Sequence, residues 1–284
     1  MISMGRVWDD AMGVLARHRG AVLLVAALGI FVPGAISGLA NLHAPIATAE
    51  QKTLISLLGL VTTIATVWGQ LSLSALALSA DDAARAGSAL AIGLRRLPAM
   101  LLVVLVILLA LVVIGVPVIV LMVAGGVDFA ALSAGTPGAT ISPGAGLGIA
   151  AYVILLVPVL LFLAARIALT TPVVVAERRN IGAIGRSWAL TRGLTFKLAG
   201  LIILYTVIAL VTLAATQFVL GGLLLLVWGN GEAVNAATVV TALAVAVVTA
   251  ILSTISTVFV ARLYLAVSHT GDGELPLETE MPRG

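Results

Sequence analysis

The chain has 284 residues, is 61% apolar, and carries 15 Lys+Arg against 12 Asp+Glu for a formal net charge of +3. Charged residues make up 10% of it, where soluble domains average about 25%, too few to cover a water-exposed surface of this size. This excludes an ordinary soluble enzyme, a nucleic-acid-binding protein and a disordered chain, and makes lipid the solvent. The absence of cysteine excludes disulfides, thiolate metal sites and a cysteine nucleophile. His18, His43 and His269 lie outside the apolar runs and share no ligand spacing, so no metal or other cofactor is expected.

In chain order, the first element is an amphipathic lead-in with Met4, Trp8, Met12 and Leu15 on one helical face. Six apolar segments follow, each long enough for the ~20 residues a membrane helix needs: 20–42, 53–80, 98–126, 147–175, 198–228 and 236–268. The first has the basic flank of a signal peptide in Arg17 and Arg19. Asp9 and Asp10 argue against that reading, so it is kept as a membrane helix. Its Gly34-x-x-x-Gly38 is a close-packing motif, expected to pack helices within the chain. Pro33, Pro117 and Pro158 lie inside spans, where neighbouring helices can satisfy the freed backbone groups. Residues 128–146, rich in Gly and Pro, read as an irregular outer loop. A second amphipathic lead-in follows the fourth span, with Ile181, Ile184 and Trp188 on one face. Ser253, Thr254, Ser256 and Thr257 cluster on the sixth span, where hydroxyls commonly bond to their own helix. Residues 269–284 read as a flexible tail.

The bases orient the spans. Arg6, Arg17, Arg19, Arg85, Arg95, Arg96, Arg178, Arg179, Arg186, Arg192, Lys197 and Arg283 fall on one side, and Lys52 on the other. By the positive-inside rule both termini are cytoplasmic, and the expected location is a bacterial inner membrane. Trp8, Arg17, Arg19, Arg95, Arg96, Arg178, Arg179, Arg186, Trp188 and Arg192 are the candidate interfacial anchors. Anionic lipid of the cytoplasmic leaflet is the expected partner.

An internal repeat organises the chain into units of about 1–80, 81–176 and 177–268. At an offset of 96 residues Gln70 falls on Arg166, Arg166 on Arg262, and Arg96 on Arg192. Locally, Ala165-Arg166-Ile167-Ala168-Leu169 matches Ala261-Arg262-Leu263-Tyr264-Leu265. The fold expected is an all-α, six-span domain over 1–268 of three parallel hairpins, each led by a short cytoplasmic amphipathic helix.

Pro172-Val173-Val174-Val175-Ala176-Glu177, followed by 182–193 around Arg186-Ser187-Trp188, is the most distinctive stretch. It resembles the membrane domain attached to some bacterial glycerophosphoryl diester phosphodiesterases and related stand-alone membrane proteins. The resemblance implies a membrane module across most of the chain. It implies no catalytic residues, because that family's activity belongs to a separate soluble barrel for which this chain has no room.

Arg166 and Arg262 are the charges well inside the spans. Arg166 lies eleven residues before Glu177, or ~16 Å along a helix, close enough to one interface to snorkel. Alternatively, Gln70, Arg166 and Arg262 converge on the repeat axis as a donor-rich pocket for a phospholipid headgroup or other anion. Glu177 reads as an interfacial ion-pair partner. No hydrolase, metalloprotease or phosphate-loop motif occurs. The reading is therefore a non-enzymatic membrane module with a scaffolding, regulatory or envelope- and lipid-associated role. The alternative is a transporter or lipid-handling protein with that pocket.

Overall fold

The computed structural model describes residues 3–79, 86–127, 142–229 and 234–271, with residues 269–271 described by backbone alone. Among them the secondary structure is helical, without strands. Six segments are long and apolar enough to span a bilayer: Arg19–Leu42, Ala49–Leu78, Ala86–Ala124, Pro143–Ala176, Thr195–Trp228 and Ala236–Ser268. The chain is an all-helical membrane protein with six candidate spans. Arg85, Arg283, most of the 128–146 loop and most of the tail lie outside the described residues.

Helix α1 (Met4–Arg17) ends at His18. The first span is α2 (Arg19–Ala26), a π-helical turn (Ala27–Phe31) and α3 (Val32–Leu42). Helix α4 (Ala49–Leu78) opens on a capping box, in which the Thr48 hydroxyl accepts from Gln51 N at 3.3 Å and the Gln51 side chain accepts from Thr48 N at 2.8 Å. Helix α5 (Ala86–Ala124) runs unbroken through Pro98 and Pro117. This corrects the sequence expectation of a span beginning at 98 behind a separate lead-in. No left-handed residue interrupts the approach to Pro98, whereas the joint before the fifth span carries Gly193 at φ +79°.

Helix α6 (Pro143–Ile167) starts four residues earlier than expected, because Ser142 caps the Ala145 N–H and Pro143 suits the first helical position. The fourth span then breaks at Ala168–Leu169 before α7 (Thr170–Ala176). Pro172 has no N–H to give the Ala168 carbonyl, which favours a break there. Helix α8 (Gly182–Leu190) precedes the fifth span, made of α9 (Thr195–Ala214), a π-helical turn (Ala215–Leu220) and α10 (Gly221–Trp228). Helix α11 (Ala236–Gly271) is the sixth.

Helix α4 lies against α3, α5, α7 and α11, and α7 also meets α11. Small residues set the approach distances. The first span and α4 cross backbone on backbone, so that a Cβ on Gly29 would run into Gly69 and the reverse. Gly34 and Gly38 face Ala246 and Ala242 of α11, with space for a Cβ to stand 3.9 and 3.8 Å from theirs. That motif packs within the chain. Leu71, Leu73, Leu76, Leu169, Val173, Val174 and Leu263 are fully buried near one end of the bundle. Elsewhere Leu57, Leu108, Ile154 and Leu210 stand exposed, as lipid-facing residues do without penalty.

Both lead-in helices turn small residues toward the bundle, with Met4, Met12, Leu15 and Ile184 partly buried beside them. On α1 the buried residues are Val7, Ala11 and Val14, while Trp8 is 47% exposed. On α8 they are Ala183 and Ser187, while Ile181 is 50% exposed. Against a membrane bundle, small side chains win the packed face because they allow close approach.

Candidate functional site

The break in the fourth span creates the most elaborate polar contact among the described residues. A continuous helix would have bonded the Arg166 carbonyl to the N–H four residues on. Here the Ser187 hydroxyl donates to it at 2.8 Å and the Thr191 hydroxyl at 3.4 Å, both from the lead-in α8 and its end. The Arg166 guanidinium answers by donating from Nη1 to the Trp188 carbonyl at 3.1 Å. Its central carbon lies 5.2 Å from the Phe162 ring centre and 5.1 Å from that of Trp188, while the two rings meet edge to face at 5.9 Å. Cation–π attraction in a desolvated place reaches about 2 kcal/mol. Arg166 and α8 are thus clasped from both sides.

Arg262 makes a second clasp. Its Nε donates to Asp10 of α1 at 2.7 Å, and Nη1 donates to the Ala77 carbonyl near the end of α4 at 3.2 Å. The last carbonyls of a helix lack intrahelical donors and carry the negative end of its dipole, so a guanidinium there is favourable twice over. The Trp8 and Phe259 rings, 6.2 Å apart, flank this joint. A third bond at this end runs from the Trp68 indole of α4 to the Leu90 carbonyl of α5, at 3.0 Å.

Among the described residues Arg166 and Arg262 share no hydrogen-bond partner. Arg166 engages α8, and Arg262 engages α1 and α4. Gln70 is half-buried on α4, one residue past the Gly69 crossing. Trp68, two residues away, makes the bond to the following unit. Sequence reasoning missed Trp68 and Asp10. Asp10 could have been found, since it shares the i, i+3, i+4, i+7 stripe with Val7, Ala11 and Val14, where an acid needs a cationic partner.

A family model described as a domain of unknown function, DUF7847, matches residues 2–267. The chain belongs to this family. No curated protein and no solved structure matches it. In this member of the DUF7847 family the clasps fall wholly within the matched region.

Just beyond α7, Glu177 gathers Arg179 Nε at 2.9 Å, Arg186 Nε at 2.9 Å and the Tyr264 hydroxyl at 3.1 Å. It joins the fourth span to α8 and α11. Arg179 is the neighbour two residues on, and Arg186 and Tyr264 are partners from farther along the chain. Arg178, which follows it, has a left-handed φ of 56°. Burial pushes the Glu177 carboxyl up, but the hydrogen bonds from Arg186 and Tyr264 and the charges of Arg186 and Arg179 outweigh it and hold the group below its ordinary range. A depressed pKa contributes stability above the unfolded value, lost as pH falls through the folded one. Glu177→Gln should therefore melt lower than wild type at neutral pH, with the gap closing in acid. A difference independent of pH in paired thermal melts would contradict this.

The remaining anchors stay at the surface: Arg17, Arg19, Arg95, Arg178, Arg179 and Arg192 are exposed, while Arg96, Arg186 and Trp188 are partly covered. Two hydroxyls of the sixth-span cluster bond their own helix, Thr254 donating to the Ala250 carbonyl at 2.7 Å and Ser256 to that of Ser253 at 3.1 Å. Among the described residues no three of His, Asp and Glu gather as a metal site would.

Proposed function

We propose that the chain is a non-catalytic membrane module that fixes amphipathic helices and a basic face against one leaflet, in a scaffolding, regulatory or envelope- and lipid-associated role. The observation that carries this reading is the use of both intramembrane arginines as clasps: Arg166 on α8, Arg262 on α1 and α4. A machine that binds a transported anion would leave such groups facing a cavity. These face neighbouring helices.

The same proposal includes three parallel hairpins. Trp68 and Arg166 each bond a carbonyl 22 residues onward, and Arg262 reaches from the last unit to the first. The second spans of the units, through α4, α7 and α11, touch one another pairwise. It also places the basic end and both termini in the cytoplasm of a bacterial inner membrane, on the charge asymmetry. Kinship with the glycerophosphoryl diester phosphodiesterase membrane domain rests on residues 172–177 and 182–193.

A second reading keeps a headgroup pocket at Gln70, Arg166 and Arg262. It is favoured by one observation, that Arg166 Nε is buried without an acceptor. Native mass spectrometry from mild detergent separates the two, comparing wild type with Arg166→Ala/Arg262→Ala and with the charge-retaining Arg166→Lys/Arg262→Lys. We expect retained phospholipid to be unchanged in both variants and thermal stability to fall. Stoichiometric lipid in wild type, lost from a folded double variant, would establish the pocket instead.

A further inference from the structure

A groove of about 410 Å³ lies between the first and sixth spans, away from both clasps. One wall is Val22, Leu23, Ala26, Ala27 and Phe31, and the other runs from Val247 to Ile255. Three features shape it. The π-helical turn at Ala27–Phe31 offsets the first span where Gly29 meets Gly69, and small side chains at Ala26, Ala27 and Ala250 leave the concavity. Thr254, the one hydroxyl on the lining, is already bonded to its own helix, so the interior is apolar throughout. Arg19 stands at one end, exposed, and among the described residues no ion pair engages it.

From Arg19 to Phe31 is twelve residues, ~18 Å of helix, close to the ~15 Å that is half the hydrocarbon core. The groove is therefore one leaflet deep, with a cation at headgroup level and no polar group below it.

We infer that this groove is a binding site for one acyl chain of an anionic phospholipid, with its phosphate held by Arg19. A zwitterionic lipid would bring its own cation to the same guanidinium. The inference is independent of whether the arginine clasps are structural. It concerns other residues, so the double variant is expected to keep the groove's lipid even where a headgroup pocket at Gln70, Arg166 and Arg262 loses its own.

The test uses the full chain in mild detergent, equilibrated with equimolar phosphatidylglycerol and phosphatidylcholine of matched chains and read by native mass spectrometry. One retained phosphatidylglycerol is expected, favoured about fivefold over phosphatidylcholine, the preference one interfacial cation supplies. Arg19→Ala should bring that ratio to about one, while Arg19→Lys keeps it. Ala27→Phe, which fills the groove from an exposed position, should lower retention of both lipids. No retained lipid, or a preference that survives Arg19→Ala, or retention indifferent to Ala27→Phe, would overturn the proposal. So would palmitate displacing phosphatidylglycerol at equal concentration, because the occupant would then be a free fatty acid.

Discussion

Gly69→Ala is expected to destabilise the bundle by about 3 kcal/mol or more, at the upper end of what overpacking costs. The added methyl would meet backbone atoms of Gly29 rather than a side chain that can rotate aside. The first span and α4 would have to separate along their whole crossing, loosening the wall of the lipid groove as well. Gly59→Ala on the same helix is the control, because nothing lies within 4 Å of the Cβ it would add. It should leave stability unchanged or slightly raised, as Ala is the better helix former. Thermal unfolding of both variants in one detergent decides the matter. Equal melting of Gly69→Ala and wild type would mean that the two backbones do not touch.

Arg166→Ala should release α8. The loss combines a charge-assisted hydrogen bond to Trp188 with contacts to two rings, together about 3 kcal/mol. Ser187→Ala should cost less, about 1 kcal/mol for one neutral hydrogen bond. It would still leave the Arg166 carbonyl within reach of Thr191 at 3.4 Å. Hydrogen exchange over residues 182–194 is the direct measure. Amides there should exchange about a hundredfold faster in Arg166→Ala, each tenfold corresponding to about 1.4 kcal/mol. Arg166→Lys should fall between, since an ammonium keeps the ring attraction but lacks the planar fork. Unchanged exchange in Arg166→Ala would remove the clasp as the device that holds this helix.

The clasp also accounts for the motif that stood out in the sequence. Ser187 and Thr191 bind the carbonyl freed at the helix break, and Trp188 supplies both a carbonyl and a ring to Arg166. Gly193, with its positive φ, ends the lead-in so that the fifth span can begin. The residue types were legible; their shared target, 21 to 25 residues upstream, was not.

Other misses have the same origin. Asp10 and Arg262 are 252 residues apart, and nothing in local pattern couples them. Gly29 and Gly69 are unremarkable alone and matter only because their helices cross there.

The sequence by itself determined the solvent, the six spans and the in-chain role of Gly34 and Gly38. Each follows from local composition and helix rise, which need no knowledge of neighbours. The tertiary structure alone decided which guanidinium meets which helix, which faces pack, and where a lipid-deep groove opens. In a bilayer, hydrophobicity no longer distinguishes inside from outside, so those choices fall to close approach of small residues and to a few polar bonds between distant segments.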